Sequence, residues 1–244
     1  MKRAATLCAG FFLAFLVGNG VFAGDELSQY IAKFQNRYQL SRTSSATFLE
    51  LYSENGQLVR SEAGTAYFQR PSRMRWEYDA PEKNLFLVDG KSAWFYVPAD
   101  HTVTKVPAKH SADWRTPLAL LAGDVKVSRV CSHVSLASSE RSLLSGDVML
   151  ACQLRGQDPG NAAEQMADGQ PATAKDAAVL LELAPQSGEL LRVLVGGKGG
   201  VSIEFRFKNW NFDAPIPSTQ FQFHPPPGVV ILNGELPLQK DPVK

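Results

Sequence analysis

The chain has 244 residues, with 25 lysines and arginines against 24 aspartates and glutamates, and its formal net charge is +1. Because positive and negative charges are nearly equal in number, the chain has no net electrostatic attraction to a phosphate backbone. Nucleic acid is therefore not an expected partner. The length suffices for one large β-rich domain.

The N-terminus has the three regions of a secretory signal peptide. The basic pair Lys2-Arg3 precedes an apolar run over residues 4–17, and the small-residue site Val21-Phe22-Ala23 follows. The apolar run is too short to span a bilayer, so a cleaved signal is favoured over a membrane anchor. We expect residues 1–23 to be removed and residues 24–244 to form a single periplasmic domain.

The hydrophobic pattern then predicts one helix followed by many short strands. Apolar residues recur at spacings of three and four over residues 25–40, which indicates an amphipathic helix. Turn signals such as Asn55-Gly56 and Asp89-Gly90 separate the stretches that follow, and strands joined by short turns pair antiparallel. We therefore expect one large antiparallel sheet. Its predicted strands are residues 43–52, 64–69, 73–78, 85–88, 92–97, 101–106, 125–134, 147–154, 179–184, 189–195, 201–208 and 221–224.

Two segments interrupt the predicted strands. Thr116-Pro117, followed by a leucine-rich turn that ends at Gly123, predicts a short helix with an N-cap, a proline in the first turn and a glycine stop. Residues 155–178 contain no aromatic residue and are rich in Ala, Gln, Gly and Asp. Such a composition cannot bury enough apolar surface to offset the entropy lost when the chain becomes ordered. It therefore predicts a flexible insertion between two strands.

Two cysteines, Cys131 and Cys152, remain after the expected processing. In an oxidising compartment an even pair within strand-like sequence favours a structural disulfide. The alternative is a redox or metal site. Against it, the sequence has no Cys-x-x-Cys motif and no histidine cluster near either cysteine.

Catalytic motifs are not found in the sequence, which has no Gly-x-Ser-x-Gly, no His-Glu-x-x-His and no Walker loop. The glycine-rich run 196–200 precedes a strand-like stretch, whereas a phosphate loop needs a helix N-terminus, so it predicts a hairpin turn. We expect a protein that is not an enzyme and that has no metal and no cofactor. The four histidines are scattered, at His101, His110, His133 and His224.

The richest aromatic and basic stretch runs from residue 67 to residue 78. Strand alternation puts Met74, Trp76 and Tyr78 on one face and the charged residues between them on the other. An ordinary half-buried strand is one interpretation. The other is that a sheet with one apolar face and only two short helices to cover it keeps an apolar cavity. That cavity would be lined by residues such as Phe48, Met74, Trp76 and Leu118.

The order of these residues resembles the outer-membrane lipoprotein carrier protein family, LolA, from Leu27 to about Leu232. The matching elements are Arg70-Pro71, Arg75-Trp76, Pro81, Val88-Asp89-Gly90-Lys91, Trp94-x-Tyr96, Thr116-Pro117-x-x-Leu120-Leu121, Phe221-x-Phe223 and Pro226-x-Gly228-Val229. Three features depart from the family pattern. They are Met74 in place of an aromatic residue, the insertion 155–178 and the cysteine pair.

The resemblance implies a mainly β fold, an open (incomplete) antiparallel β-barrel with a lid of short α-helices. Arg70 would hold the lid closed, and Leu118–Ala122 would belong to the lid. The implied partners are acylated lipoproteins, a LolCDE-like ABC transporter that releases them from the inner membrane, and a LolB-like or equivalent outer-membrane receptor. We expect the carrier to be a monomer. The candidate cargo-binding residues are Phe48, Met74, Trp76, Tyr78, Leu118 and Leu121.

Two other functions remain open from the sequence. A lipid-sensing or lipoprotein-sensing module of the same fold, attached to stress regulation, would be expected to carry a second domain. A periplasmic hydrolase would need a nucleophile and a base, which can be scattered in sequence. Acyl lipid bound to the purified protein would separate a carrier from both.

Overall fold

A computed structural model describes residues 23–108, 118, 121–122, 126–137, 142–155, 178–196 and 200–233. Outside the described residues lie all but residue 23 of the predicted signal peptide 1–23 and all but the two end residues of the predicted insertion 155–178. Most of the predicted short helix after Thr116 and the middle of the glycine-rich run 196–200 also lie outside them. The helices are α1 (Ala23–Leu40) and α2 (Val127–Val130). The strands are β1 (Thr43–Glu54), β2 (Gln57–Gln69), β3 (Arg73–Ala80), β4 (Leu85–Val88), β5 (Ser92–Val97), β6 (Thr102–Pro107), β7 (Cys131–Leu136), β8 (Val148–Leu154), β9 (Ala178–Leu183), β10 (Leu190–Gly196), β11 (Val201–Phe212) and β12 (Val230–Asn233).

The twelve described strands form one open sheet in the order β12-β6-β5-β4-β3-β2-β1-β11-β10-β9-β8-β7. The first strand, β1, therefore lies in the middle and pairs with both β2 and β11. The two end strands, β7 and β12, do not pair with each other, so the sheet is not closed into a barrel. The predicted mainly β, open architecture is confirmed.

The expectation of a wholly antiparallel sheet is wrong for one strand, because β12 pairs in parallel with β6. Only a short hairpin connection forces antiparallel pairing. The connection from β11 to β12 is long and runs from the interior of the sheet to its edge beside β6, so the direction of β12 is not fixed by its predecessor.

Two predicted strands need correction. Residues 221–224 are not a strand, because Phe221 ends the 3-10 turn Ser218–Phe221 and the next residues are irregular. Three prolines follow at positions 225–227, and proline has no N–H for a sheet ladder. The predicted strand 125–134 begins instead with the helical turn α2, and β7 starts only at Cys131. The other predicted strands are present, most of them with shifted ends.

The β1–β2 hairpin is the longest in the sheet, and its turn follows from two residues. Asn55 and Gly56 have φ values of 50° and 77°. A two-residue turn with two positive φ angles matches the twist of the flanking strands, and Asn-Gly adopts it at little cost.

Helix α1 covers one face of the sheet, which we call the inner face. Its C-terminal half is fastened to the turn between β9 and β10. Lys33 Nζ donates to the Pro185 carbonyl at 2.9 Å, and Arg37 pairs with Glu189 at 3.1 Å. The buried Tyr38 hydroxyl accepts a hydrogen bond from the Leu190 N–H at 2.9 Å. The helix therefore rests on the sheet by polar contacts as well as by its apolar stripe.

The opposite, outer face carries charges on one side and the C-terminal segment on the other. The fully buried Glu182 carboxylate pairs with Arg192 at 2.7 Å. Phe223 lies against the rings of Trp94 and Tyr96, with centroids 5.6 Å from each. Neither helix in the described part of the chain is long and apolar enough to cross a membrane.

Candidate functional site

The six candidate cargo-binding residues come together in one apolar cluster on the inner face. They lie on the two strands β1 and β3 and on the short segment after residue 117, which are far apart in sequence. Strand alternation explains how β3 contributes three of them, as predicted from the sequence. Their exposed fractions are Phe48 4%, Met74 7%, Trp76 1%, Tyr78 5%, Leu118 1% and Leu121 2%.

Trp76 is the centre of this cluster. Its ring centroid lies 4.8 Å from that of Phe48 and 5.8 Å from that of Phe68, both in edge-on arrangements. Phe205 and Phe207 of β11 approach it at 5.4 Å and 5.9 Å. The contacts with Phe205 and Phe207 link β3 to β11 through aromatic rings, across the two strands that lie between them in the sheet.

A glycine makes the approach of two aromatic rings possible. Gly64 of β2 pairs with Phe48 on one side and Tyr78 on the other. A Cβ atom at Gly64 would lie 1.8 Å from the Glu77 carbonyl oxygen, so no other residue fits. With no side chain between them, Phe48 and Tyr78 meet across β2 at 5.1 Å.

Sequence reasoning missed several aromatic residues of the inner face, notably Phe68, Phe205 and Phe207. All three are buried in the same cluster. The alternating Phe205-x-Phe207 pattern was a sufficient signal for an apolar face of β11. What the pattern could not supply was the pairing of β11 with β1, which brings that face to Trp76.

Arg70 directly follows the end of β2 and reaches back to α1. Its Nη1 donates to the carbonyl oxygen of Gln39 in the last turn of the helix. The carbonyls at a helix C-terminus carry partial negative charge, which favours a cation there. The Arg70 side chain thus makes one described hydrogen bond, to a carbonyl of α1. No described hydrogen bond joins it to Leu118, Leu121 or Ala122.

The inner face becomes polar toward the β1–β2 hairpin. Glu50, only 2% exposed, accepts a hydrogen bond from the Tyr78 hydroxyl at 2.8 Å. Glu62, which pairs with Glu50 across the hairpin, makes a salt bridge of 3.1 Å with Arg60. The site therefore has an apolar part near α1 and a polar part near the hairpin.

One polar group lies within the apolar part. The Trp76 Nε1–H is buried and has no hydrogen-bond acceptor in the described structure, whereas the indole N–H groups of Trp94 and Trp210 donate to Asp89 at 3.0 Å and to the Leu190 carbonyl at 2.8 Å. Buried polar groups are usually hydrogen-bonded, so the Trp76 N–H is an exception.

The predicted disulfide between Cys131 and Cys152 is confirmed. It ties the start of β7 to β8, directly after α2. Helix α2 is held from two further sides, because Gln35 of α1 accepts a hydrogen bond from the Val127 N–H at 2.9 Å and the Arg155 guanidinium donates to the Ser128 carbonyl at 2.8 Å. The disulfide thus fixes the chain just beyond the segment that contains Leu118 and Leu121.

The Asp89-Gly90-Lys91 motif forms the turn between β4 and β5. The Asp89 carboxylate accepts hydrogen bonds from the backbone N–H groups of Lys91 and Ser92 at 2.7 Å and 2.8 Å. Burial alone would raise the pKa of Asp89, but these bonds, the Trp94 N–H and the charge of Lys105 outweigh it and hold the pKa below its usual value. The motif is therefore structural, and it lies outside the apolar cluster.

The described residues of the candidate site are mainly apolar. No three His, Cys, Asp or Glu side chains within those residues are grouped as metal ligands.

Comparison with known proteins finds similarity to lipoprotein carriers. Residues 40–145 match the family model of the outer membrane lipoprotein carrier protein LolA. The outer-membrane lipoprotein carrier protein of Chromobacterium violaceum is 29% identical over 80% of this chain and 83% of its own length, and that of Nitrosospira multiformis is 24% identical over 96% and 100%. That of Nitrosomonas europaea is 39% identical over 88 residues, 36% of this chain and 42% of its own length.

The chain is similar to the LolA family over residues 40–145, and to its named members over most of its length. All six candidate cargo-binding residues and Arg70 lie within the stretch that the LolA model matches. An uncharacterized conserved protein from Thermus thermophilus shares the fold, with a TM-score of 0.51 at 14% identity over 85% of this chain and 98% of that one.

Proposed function

We propose that this protein is a LolA-like periplasmic chaperone, which binds the acyl chains of lipoproteins released from the inner membrane and delivers them to an outer-membrane acceptor. The observation that carries the proposal is the buried apolar cluster around Trp76, which gathers all six candidate cargo-binding residues together with Phe34 and Tyr38 of α1. The relatives named as lipoprotein carriers support the same role.

The physical reason for a carrier is the cost of exposing acyl chains to water. Each buried methylene contributes about 0.8 kcal/mol, so a lipoprotein with several chains does not cross an aqueous space unaccompanied at a useful rate. A carrier must offer a comparable apolar surface and must also release its load. Aromatic rings and the flexible Met74 side chain suit loose, exchangeable packing.

The partners in this proposal are acylated lipoproteins, an inner-membrane releasing transporter and an outer-membrane receptor. Arg70 and the segment Leu118–Ala122 would close the site when it is empty. The bond between Arg70 and α1 supports a latch at the end of β2. Cargo would then have to displace α1, the segment or both to reach Trp76.

Extraction of the purified mature protein and mass spectrometry of the extract test the function directly. The proposal expects acyl lipid or lipoprotein in the extract. It also expects a synthetic diacylated lipopeptide to bind the lipid-free protein at a single saturable site. A folded protein that binds no acylated ligand would contradict the carrier function.

Substitution of Met74 tests the location of the site. Met74→Glu places a carboxylate without a partner among apolar side chains, which should weaken lipopeptide binding more than it lowers the free energy of unfolding. Arg73→Glu is the matched control, because Arg73 lies on the other face of β3. Unchanged binding by a normally folded Met74→Glu protein would show that Met74 does not face the cargo.

A further inference from the structure

The buried indole N–H of Trp76 lies where an acyl chain would bind. The Trp76 side chain is 1% exposed and is surrounded by the rings of Phe48, Phe68, Phe205 and Phe207. A hydrocarbon-binding face needs no hydrogen-bond donor, and a phenylalanine would fill the same place without burying one. An uncompensated donor at this position loses its hydration and gains nothing from the protein.

The other described tryptophans show that this is not a general property of the fold. Trp94 and Trp210 each have an acceptor for the indole N–H. Only the tryptophan at the centre of the proposed cargo site lacks one among the described residues. This pattern indicates a donor whose acceptor comes from the ligand.

The surroundings of Trp76 indicate which part of the ligand supplies the acceptor. Toward the hairpin, the next inner-facing residue of β3 is Tyr78, whose hydroxyl is bonded to the buried Glu50. Further along β1, the inner-facing residues become more accessible, from buried Glu50 to half-buried Tyr52. Trp76 is therefore the residue of the apolar part that precedes the Tyr78–Glu50 pair along β3, and the chain of a lipid would meet its head group between them.

We propose that the Trp76 Nε1–H donates a hydrogen bond to an acyl carbonyl of the cargo, that of a glyceryl ester. The hydrocarbon beyond that carbonyl would lie on the apolar part of the inner face, and the rest of the head group would lie toward Tyr78 and Glu50. The inference rests on the proposed carrier function and adds to it a preference for acyl-linked over alkyl-linked chains.

A matched pair of ligands tests this selectivity in the intact mature protein. One synthetic lipopeptide carries two ester-linked chains and a free N-terminus, and the other carries ether-linked chains of the same length. The wild-type protein should bind the ester form about three- to tenfold more tightly, the range expected for one neutral hydrogen bond. A third ligand, the ether form with an N-acyl group, shows whether an amide carbonyl can replace the ester, because it then regains the lost affinity.

Two variants locate the effect. Trp76→Phe removes the N–H while keeping an aromatic ring, and it should bind the acyl-linked and ether forms with equal affinity. Trp94→Phe removes an indole from the outer face and should keep the wild-type preference. A preference retained by Trp76→Phe, or absent from the wild-type protein, would overturn the inference.

A measurement on the wild-type protein tests the inference even if Trp76→Phe does not fold. The ¹H–¹⁵N signal of the Trp76 indole should move downfield on binding the ester lipopeptide and should move less on binding the ether lipopeptide. Equal movement with both ligands would also count against the carbonyl contact. Failure of all the lipopeptides to bind would instead contradict the carrier function itself.

Discussion

At the scale of single residues, Arg70 joins the end of β2 to the end of α1. The family resemblance implied that Arg70 holds the lid closed, and the described contacts of its side chain comprise one carbonyl, that of Gln39. A charge-assisted hydrogen bond contributes about 1.5–3 kcal/mol. A contact of that size can keep a site covered and still yield when an acyl chain enters.

Arg70→Leu should therefore fold normally and accept lipopeptide, but fail to pass it to an acceptor. Without the bond to α1, the emptied carrier no longer gains free energy by closing. The driving force for release of the cargo is therefore smaller. A two-step transfer assay with purified components measures this. Normal handover by Arg70→Leu would refute the latch.

Two further variants separate the latch from a loss of charge. Arg42→Leu removes an exposed arginine whose described hydrogen bonds use only its backbone N–H and carbonyl, so it should transfer cargo normally. Arg70→Lys keeps a cationic N–H donor and should retain part of the handover, because the described contact uses a single guanidinium N–H.

Asp89 gives a prediction about pH. Its hydrogen bonds hold the folded-state pKa below the usual value, so they stabilise the fold above the unfolded-state pKa of about 3.9. That contribution is lost as the pH falls through the folded-state pKa. Asp89→Asn should have a lower denaturation midpoint than the wild-type protein at pH 7, and the difference should shrink below about pH 4. Asp79→Asn, at an exposed aspartate, is the control. A difference that stays constant down to about pH 3 would show that the Asp89 charge is not involved.

At the scale of elements, the disulfide fixes α2 and β7 to the rest of the sheet. It closes a loop between residues 21 apart, which in the chain-entropy model stabilises the fold by about 3 kcal/mol. Strand β7 lies at the edge of the sheet and pairs with β8 alone, so the covalent bond supplements a single ladder.

Thiol alkylation of the non-reduced mature protein should label neither Cys131 nor Cys152. Reduction in denaturant should make both cysteines reactive. The Cys131→Ala, Cys152→Ala double variant should unfold at a lower denaturant concentration, with a loss of about 3 kcal/mol measured by equilibrium unfolding. Stoichiometric labelling of both cysteines without reductant would contradict the pairing.

At the scale of the whole molecule, the proposed carrier works by exchanging one apolar environment for another. Loading must be driven by the releasing transporter, whereas outward transfer requires only that the acceptor bind the anchor more favourably than the inner face does. We therefore expect a loaded carrier to pass a fluorescent lipopeptide to acceptor-bearing vesicles without nucleotide.

Transfer can be followed by the change in fluorescence on mixing, with vesicles that lack the acceptor as the control. Added ATP should leave both the rate and the extent of transfer unchanged. Transfer that begins only when ATP is added would show that the carrier itself, or the acceptor step, consumes energy.

The sequence by itself determined the features that depend on local pattern. The helical repeat predicted α1, and alternation put Met74, Trp76 and Tyr78 on one face of β3, because side-chain direction follows from the backbone period. The glycine and asparagine turns separated most of the strands correctly, and the cysteine count indicated the disulfide. These features are encoded within a few residues of one another.

The tertiary structure decided which distant segments meet. Pairing of β1 with β11 placed Phe205 and Phe207 beside Trp76, and a long connection carried β12 to β6 in parallel. Folding also gave Arg70 its partner on α1 and left the Trp76 N–H without one in the described structure. No local period fixes such contacts, because they depend on the path of the whole chain and on the free energy of packing all its elements together.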